Sequence, residues 1–74
     1  MSKKQKEREA LGNTLRAFRE ESNLSKYKAA QDGKIREDQV SFIELGERNY
    51  TIDAFLGYLR GCNIEVTFTK KEEE

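Results

Sequence analysis

Few side chains in this chain of 74 residues are suited to covalent or acid–base chemistry. Histidine is absent, which removes the common imidazole base and the common zinc ligand. The single cysteine, Cys62, has no base to activate it, cannot form an internal disulfide, and reads as a small apolar filler. Glu37 and Asp38 are adjacent carboxylates that would point in different directions on a helix, which suits neither a glycosidase pair nor a metal cage. No catalytic residue, metal or cofactor is therefore expected, and the chain does not read as an enzyme. One carboxylate remains to be explained. In SFIELGERN, residues 41–49, Glu44 interrupts the apolar run Phe42, Ile43, Leu45, and Gly46 follows at once.

The elements that would position these groups can be read from periodicity. Leu11, Leu15 and Phe18 form an amphipathic stripe running to about Ser22, behind a basic and flexible tail over residues 1–8. Ser25 is a good N-cap for a short second helix, KYKAAQ, which carries Ala29 and Ala30. Asp32-Gly33 breaks the chain, and a third helix begins near Arg36, carries Val40 and Ile43 inward, and stops at Gly46. Thr51 caps a fourth helix, IDAFLGYLRG, with Ile52, Phe55, Leu56 and Leu59 as its stripe. Gly57 allows a close backbone approach there, and the small-xxx-small spacing of GYLRG is too surrounded by polar residues to be a membrane-dimer motif.

After residue 62 the period changes from helical to two. NIEVTFT alternates Ile64, Val66 and Phe68 with Glu65, Thr67 and Thr69, the pattern of a half-buried strand. A lone strand leaves its backbone groups unpaired, so residues 63–69 are expected to pair with a second copy across a two-fold axis, with Ile64, Val66 and Phe68 at the dimer interface. The tail KKEEE, residues 70–74, reads as solvated and disordered. The fold class expected is mostly all-α: a compact four-helix domain over 9–62 with one dimerisation strand.

Charge narrows the partners. The chain is neutral overall, with 14 basic and 14 acidic residues, so any binding to nucleic acid must come from local placement of lysine and arginine. No apolar run is long enough to span a bilayer, and no membrane partner is expected. The unpaired cysteine suits a reducing cytoplasm.

The short second helix, tight break and third helix make a helix-turn-helix pattern. Together with LGNTLRAFRE, NLSKYKAA and VSFIELGERNYTI, spaced without gaps over roughly 11–60, the sequence resembles the phage-repressor-type helix-turn-helix family, Cro-like and also called xenobiotic-response-element regulators. The resemblance implies a bundle of four or five helices that binds double-stranded DNA as a homodimer, in the cytoplasm of a bacterium or in a phage context, at the nucleoid. It also admits an antitoxin-like alternative, in which a toxin or other protein binds the helix-turn-helix face or the C-terminal sheet. By the same resemblance Arg19 and Glu44 form a structural ion pair. Each residue borders the core face of its helix, and a carboxylate there is costly unless a guanidinium answers it.

The resemblance maps the base-contacting positions onto Glu37, Asp38, Ser41 and Phe42. The acids could accept from cytosine N4, and Phe42 could pack on a thymine methyl. Acids in a first helical turn also favour the helix dipole and need no ligand. Lys26, Lys34, Arg36, Arg48 and Asn49 are the candidates for phosphate contact on either side of the groove. Three features depart from the family pattern: Lys34 stands where a turn glycine is usual, Tyr50 replaces the proline common after Arg-Asn, and Glu37 and Asp38 place at the DNA-facing helix end two acids that phosphate repels.

Overall fold

The computed structural model describes residues 2–71, and they form four helices: α1 (Lys3–Glu21), α2 (Lys26–Gly33), α3 (Glu37–Leu45) and α4 (Ile52–Gly61). None is long and apolar enough to cross a membrane. Each start has a local cause. The hydroxyls of Ser2, Ser25 and Thr51 accept hydrogen bonds from the N–H of Gln5, Lys28 and Ala54, and so satisfy helix-end donors that have no partner inside the helix. The Ser2 cap lets α1 begin at Lys3, so residues 3–8 are helical where a flexible tail was expected.

Three helices end in the same way. Asn23, Lys34 and Asn63 adopt left-handed conformations with φ of 59°, 59° and 57°. The N–H of the next residue reaches back to a carbonyl five residues earlier: Leu24 to Arg19, Ile35 to Ala30 and Ile64 to Leu59. This is the Schellman geometry, in which the residue after the left-handed one folds its apolar side chain onto the helix. Leu24, Ile35 and Ile64 all pack against the core. The break after α2 therefore falls at Lys34, one residue later than Asp32-Gly33 suggested. Gly46, with φ of 67°, ends α3 as expected.

Gly33 is needed for space instead. A Cβ on Gly33 would collide with the Gly57 carbonyl, and one on Gly61 with the Ala29 carbonyl. The small residues of α2 and α4 thus bring two backbones into direct contact. The Gly57–Gly61 spacing serves this packing inside one chain. Arg60 Nη2 completes the join by donating to the Gly33 carbonyl at 2.9 Å.

This approach sets the rotation of α4. Ala54, Tyr58, Leu59 and Cys62 are buried, whereas Ile52 and Leu56, expected inside, are 66% and 48% exposed. The buried line of α1 is likewise turned by one residue, to Gly12, Leu15 and Arg19, leaving Leu11 and Phe18 outward. Leu11 and Ile52, with Tyr50, Thr51 and Phe55, line an open apolar groove of about 270 Å³. Val40 and Ile43 are fully buried, as their positions on α3 required, and Cys62 fills the core beside them.

Among the described residues there is no strand. Ile64, expected on a dimer seam, closes the α4 cap and packs on its own protomer, while Val66 and Phe68 are 44% and 95% exposed. A ladder needs a second strand, and one protomer supplies none. Lys70 and Lys71 are exposed; the rest of the expected charged tail, 72–74, lies outside the described residues.

Gly61→Ala should destabilise the domain by about 1–3 kcal/mol although alanine is the better helix former, because α2 and α4 must separate to admit a methyl group. Urea unfolding monitored by circular dichroism would measure the change.

Candidate nucleic-acid interface

α3 has two faces with different tasks. Its inner face carries Val40, Ile43 and Glu44, all buried. Glu44 is only 4% exposed, and it is answered from two other helices. From α1, Arg19 Nε donates to Glu44 Oε2 at 2.5 Å and Arg19 Nη2 donates to Oε1 at 3.1 Å, a bidentate pair. From α4, the Tyr58 hydroxyl donates to Oε2 at 2.6 Å. The remaining reach of Arg19 goes to the Leu24 carbonyl at 2.7 Å, which ties the pair to the cap of α1. Among the described residues no buried side-chain polar atom lacks a partner.

The Arg19–Glu44 pair follows the sequence expectation; Tyr58 was not foreseen. Its position in α4 follows Gly57 and lies off the apparent apolar stripe, so only the true rotation of the helix could have shown it. Burial pushes the Glu44 carboxyl up, but the hydrogen bonds from Arg19 and Tyr58 and the charge of Arg19 outweigh it, so the carboxyl sits below the ordinary glutamate range. Burial and the hydrogen bond to Glu44 both raise the Tyr58 phenol, so it donates throughout the physiological range. Burial also pushes the Cys62 thiol up, consistent with an inert filler.

The outer face of α3 carries Glu37, Asp38, Ser41, Phe42 and the exposed Leu45. Positions 38, 41, 42 and 45 are three or four apart and share one side of the helix. Arg36 precedes the first turn, and its N–H donates to Gln39 Oε1 at 2.8 Å. Glu37 and Asp38 occupy that turn, where the helix dipole favours them.

The cations proposed from the sequence surround this face. Arg36 Nε lies 3.0 Å from Asp38 Oδ1. Lys26, at the start of α2, donates from Nζ to Ser41 Oγ at 3.3 Å. The Arg48 guanidinium lies over the Phe42 ring, 4.4 Å from its centroid. Lys34 is exposed in the α2–α3 turn. Asn49 is differently engaged: Arg8 Nη1 donates to its Oδ1 at 3.2 Å, and Arg8 Nε donates to the Gly46 carbonyl at 3.2 Å. Arg8 thereby fastens the loop after α3 to α1, a role hidden while residues 1–8 read as a tail.

Removing Glu44 strands a buried guanidinium, so Glu44→Ala should cost on the order of 3–5 kcal/mol, and a double-mutant cycle with Arg19→Met should show strong coupling. Tyr58→Phe removes one donor to a charged acceptor and should cost about 1.5–3 kcal/mol. Near-additive losses from Arg19 and Glu44 would refute the pair as a unit.

The pH dependence follows in sign. Because the folded state holds the Glu44 carboxyl below its unfolded value, its stabilisation is complete above the unfolded pKa of about 4.3 and is lost as pH falls through the lower folded value. Glu44→Gln should therefore flatten the acid limb of the stability profile below about pH 4, measured by urea midpoints across pH.

No protein-family model matches the chain, and no curated protein matches it either.

Proposed function

We propose that this chain is a sequence-specific, double-stranded DNA-binding transcriptional regulator that acts as a homodimer on a partly palindromic site. The observation that carries the reading is the posture of α3. Its inner face is fixed to α1 and α4 through Glu44, and its outer face is turned away from the core, with Lys26, Lys34, Arg36 and Arg48 around it. A helix so presented fits the major groove, and flanking cations suit the phosphates on either side. Two copies would address half-sites about one helical turn apart.

Lys34 adds a second support. A left-handed conformation costs an L-residue roughly 1–2 kcal/mol, which glycine avoids. The Lys34 side chain is exposed in the turn just before α3, where its charge is placed to meet a phosphate. Val66 and Phe68 would supply the apolar side of the proposed inter-protomer ribbon, beginning after Ile64, which stays packed on the core.

The alternative is an antitoxin-like or other protein-binding module. It is favoured by the zero net charge and by the exposure of Val66 and Phe68, which could pack on a toxin or other protein as readily as on a second copy.

Selection from random duplexes should enrich a motif with two-fold symmetry; binding no better than nonspecific would favour the protein partner. Lys34→Gly should raise stability by about 0.5–1 kcal/mol, since glycine relieves the strain at some entropic cost, yet weaken duplex binding and lower the salt slope by about one per protomer. Affinity unchanged in that variant would remove Lys34 from the interface. Val66→Arg should yield monomers in sedimentation; an undiminished dimer would move the interface elsewhere.

A further inference from the structure

Three of the four side chains on the outer face of α3 that could touch bases are already joined to a cation. Asp38 holds Arg36 at 3.0 Å, Ser41 accepts from Lys26 at 3.3 Å, and Phe42 lies under the Arg48 guanidinium at 4.4 Å. The three cations come from different places: the residue before α3, the first residue of α2 and the loop after α3. Their partners nevertheless share one stripe at positions 38, 41 and 42. Of these four, Glu37 alone has no cation against it among the described residues.

We infer that Asp38, Ser41 and Phe42 are positioning residues that hold Arg36, Lys26 and Arg48 for the phosphodiester backbone, so that the duplex is gripped along its phosphates and base contact is confined to Glu37. This rests on the DNA-binding reading above and deepens it. Long flexible cations lose much rotamer freedom when they bind a phosphate, and a partner that already restrains them lessens that loss. A guanidinium lying on an aromatic ring stays planar and charged, with N–H groups at its edge free to meet a phosphate. The ring face beneath it is no longer open apolar surface for a thymine methyl. The Asp38–Arg36 pair is net neutral, so Asp38 repels DNA less than a lone carboxylate would, and Arg36 is held in place at the expense of part of its own pull on a phosphate. Sequence preference then comes from one base position per half-site and from groove shape and deformability, which a row of phosphate contacts reads without touching base edges.

The test compares variants that leave the charge unchanged with variants that remove one cation, measured by fluorescence anisotropy on a panel of duplexes that differ at single base pairs. Phe42→Leu should weaken binding about 2- to 5-fold per protomer, equally across the panel, with the order of preference retained. Phe42→Tyr keeps the aromatic face and should bind as the parent does. The double variant Phe42→Leu/Arg48→Ala should bind no more weakly than Arg48→Ala alone, since the ring acts through that guanidinium. Ser41→Ala and Lys26→Ala should show the same non-additivity. Circular dichroism on each variant separates these effects from loss of fold. If Phe42→Leu abolishes preference at one base pair, or if its effect adds to that of Arg48→Ala, Phe42 reads a base and the inference falls while DNA binding stands. If the parent protein binds no duplex, the DNA reading fails and this inference with it.

Discussion

A carboxylate buried between three helices is the constraint on which the rest of this small domain depends. Glu44 carries a charge into a core built from few large side chains, with Tyr58, Ile43 and Val40 the largest fully enclosed. An ionised carboxylate there is tolerable only because its oxygens receive three hydrogen bonds, two from a guanidinium on α1 and one from a phenol on α4. Hydrogen bonds are directional, so the network specifies more than attraction would. Arg19 must come from one side, Tyr58 from another, and the rotation of α3 about its own axis is set between them. Apolar burial alone would permit several rotations of so short a helix. This is the sense in which a polar cluster can define a single arrangement in a thin core.

Backbone proximity supplies the second constraint. α2 and α4 touch through Ala29, Gly33, Gly57 and Gly61, and α1 approaches α3 where Gly12 faces the Glu44 carbonyl. Close approach shortens the reach required of Arg19 across α1 and α3 and of Arg60 across α4 and α2. Small residues and the buried network are therefore parts of one design: the first sets distances, the second sets angles.

Much of this was legible in the sequence. Ser25, Thr51 and Gly46 marked helix ends through local chemistry that tertiary packing did not override. Val40, Ile43 and the Arg19–Glu44 pair followed from which residues border an apolar face. What was not legible was rotation. The largest apolar residues of α1 and α4 define one stripe on each helix, yet Leu11, Phe18, Ile52 and Leu56 face outward and Gly12, Arg19, Ala54 and Gly61 face in. A hydrophobic stripe reports where side chains would bury area, whereas a helix pressed backbone to backbone must turn its smallest residues inward. The Asn-Leu, Lys-Ile and Asn-Ile pairs that close three helices were also readable in principle. The last of them explains why Ile64 belongs to the α4 cap, even though its spacing matched a strand.

The two faces of α3 have a consequence for how such a protein can change over time. All that secures the helix, from Val40 and Ile43 to the Glu44 network, lies on one side. Glu37, Asp38, Ser41, Phe42 and Leu45 lie on the other and contribute little to the core. Substitutions on the outer side are therefore nearly uncoupled from folding, and a lineage could exchange them one by one without crossing an unfolded intermediate. Drift on the outer side would be cheap, while drift in Arg19, Glu44 or Tyr58 would require coordinated replacement. The buried charge that makes the domain hard to alter from within leaves its outer surface open to reassignment.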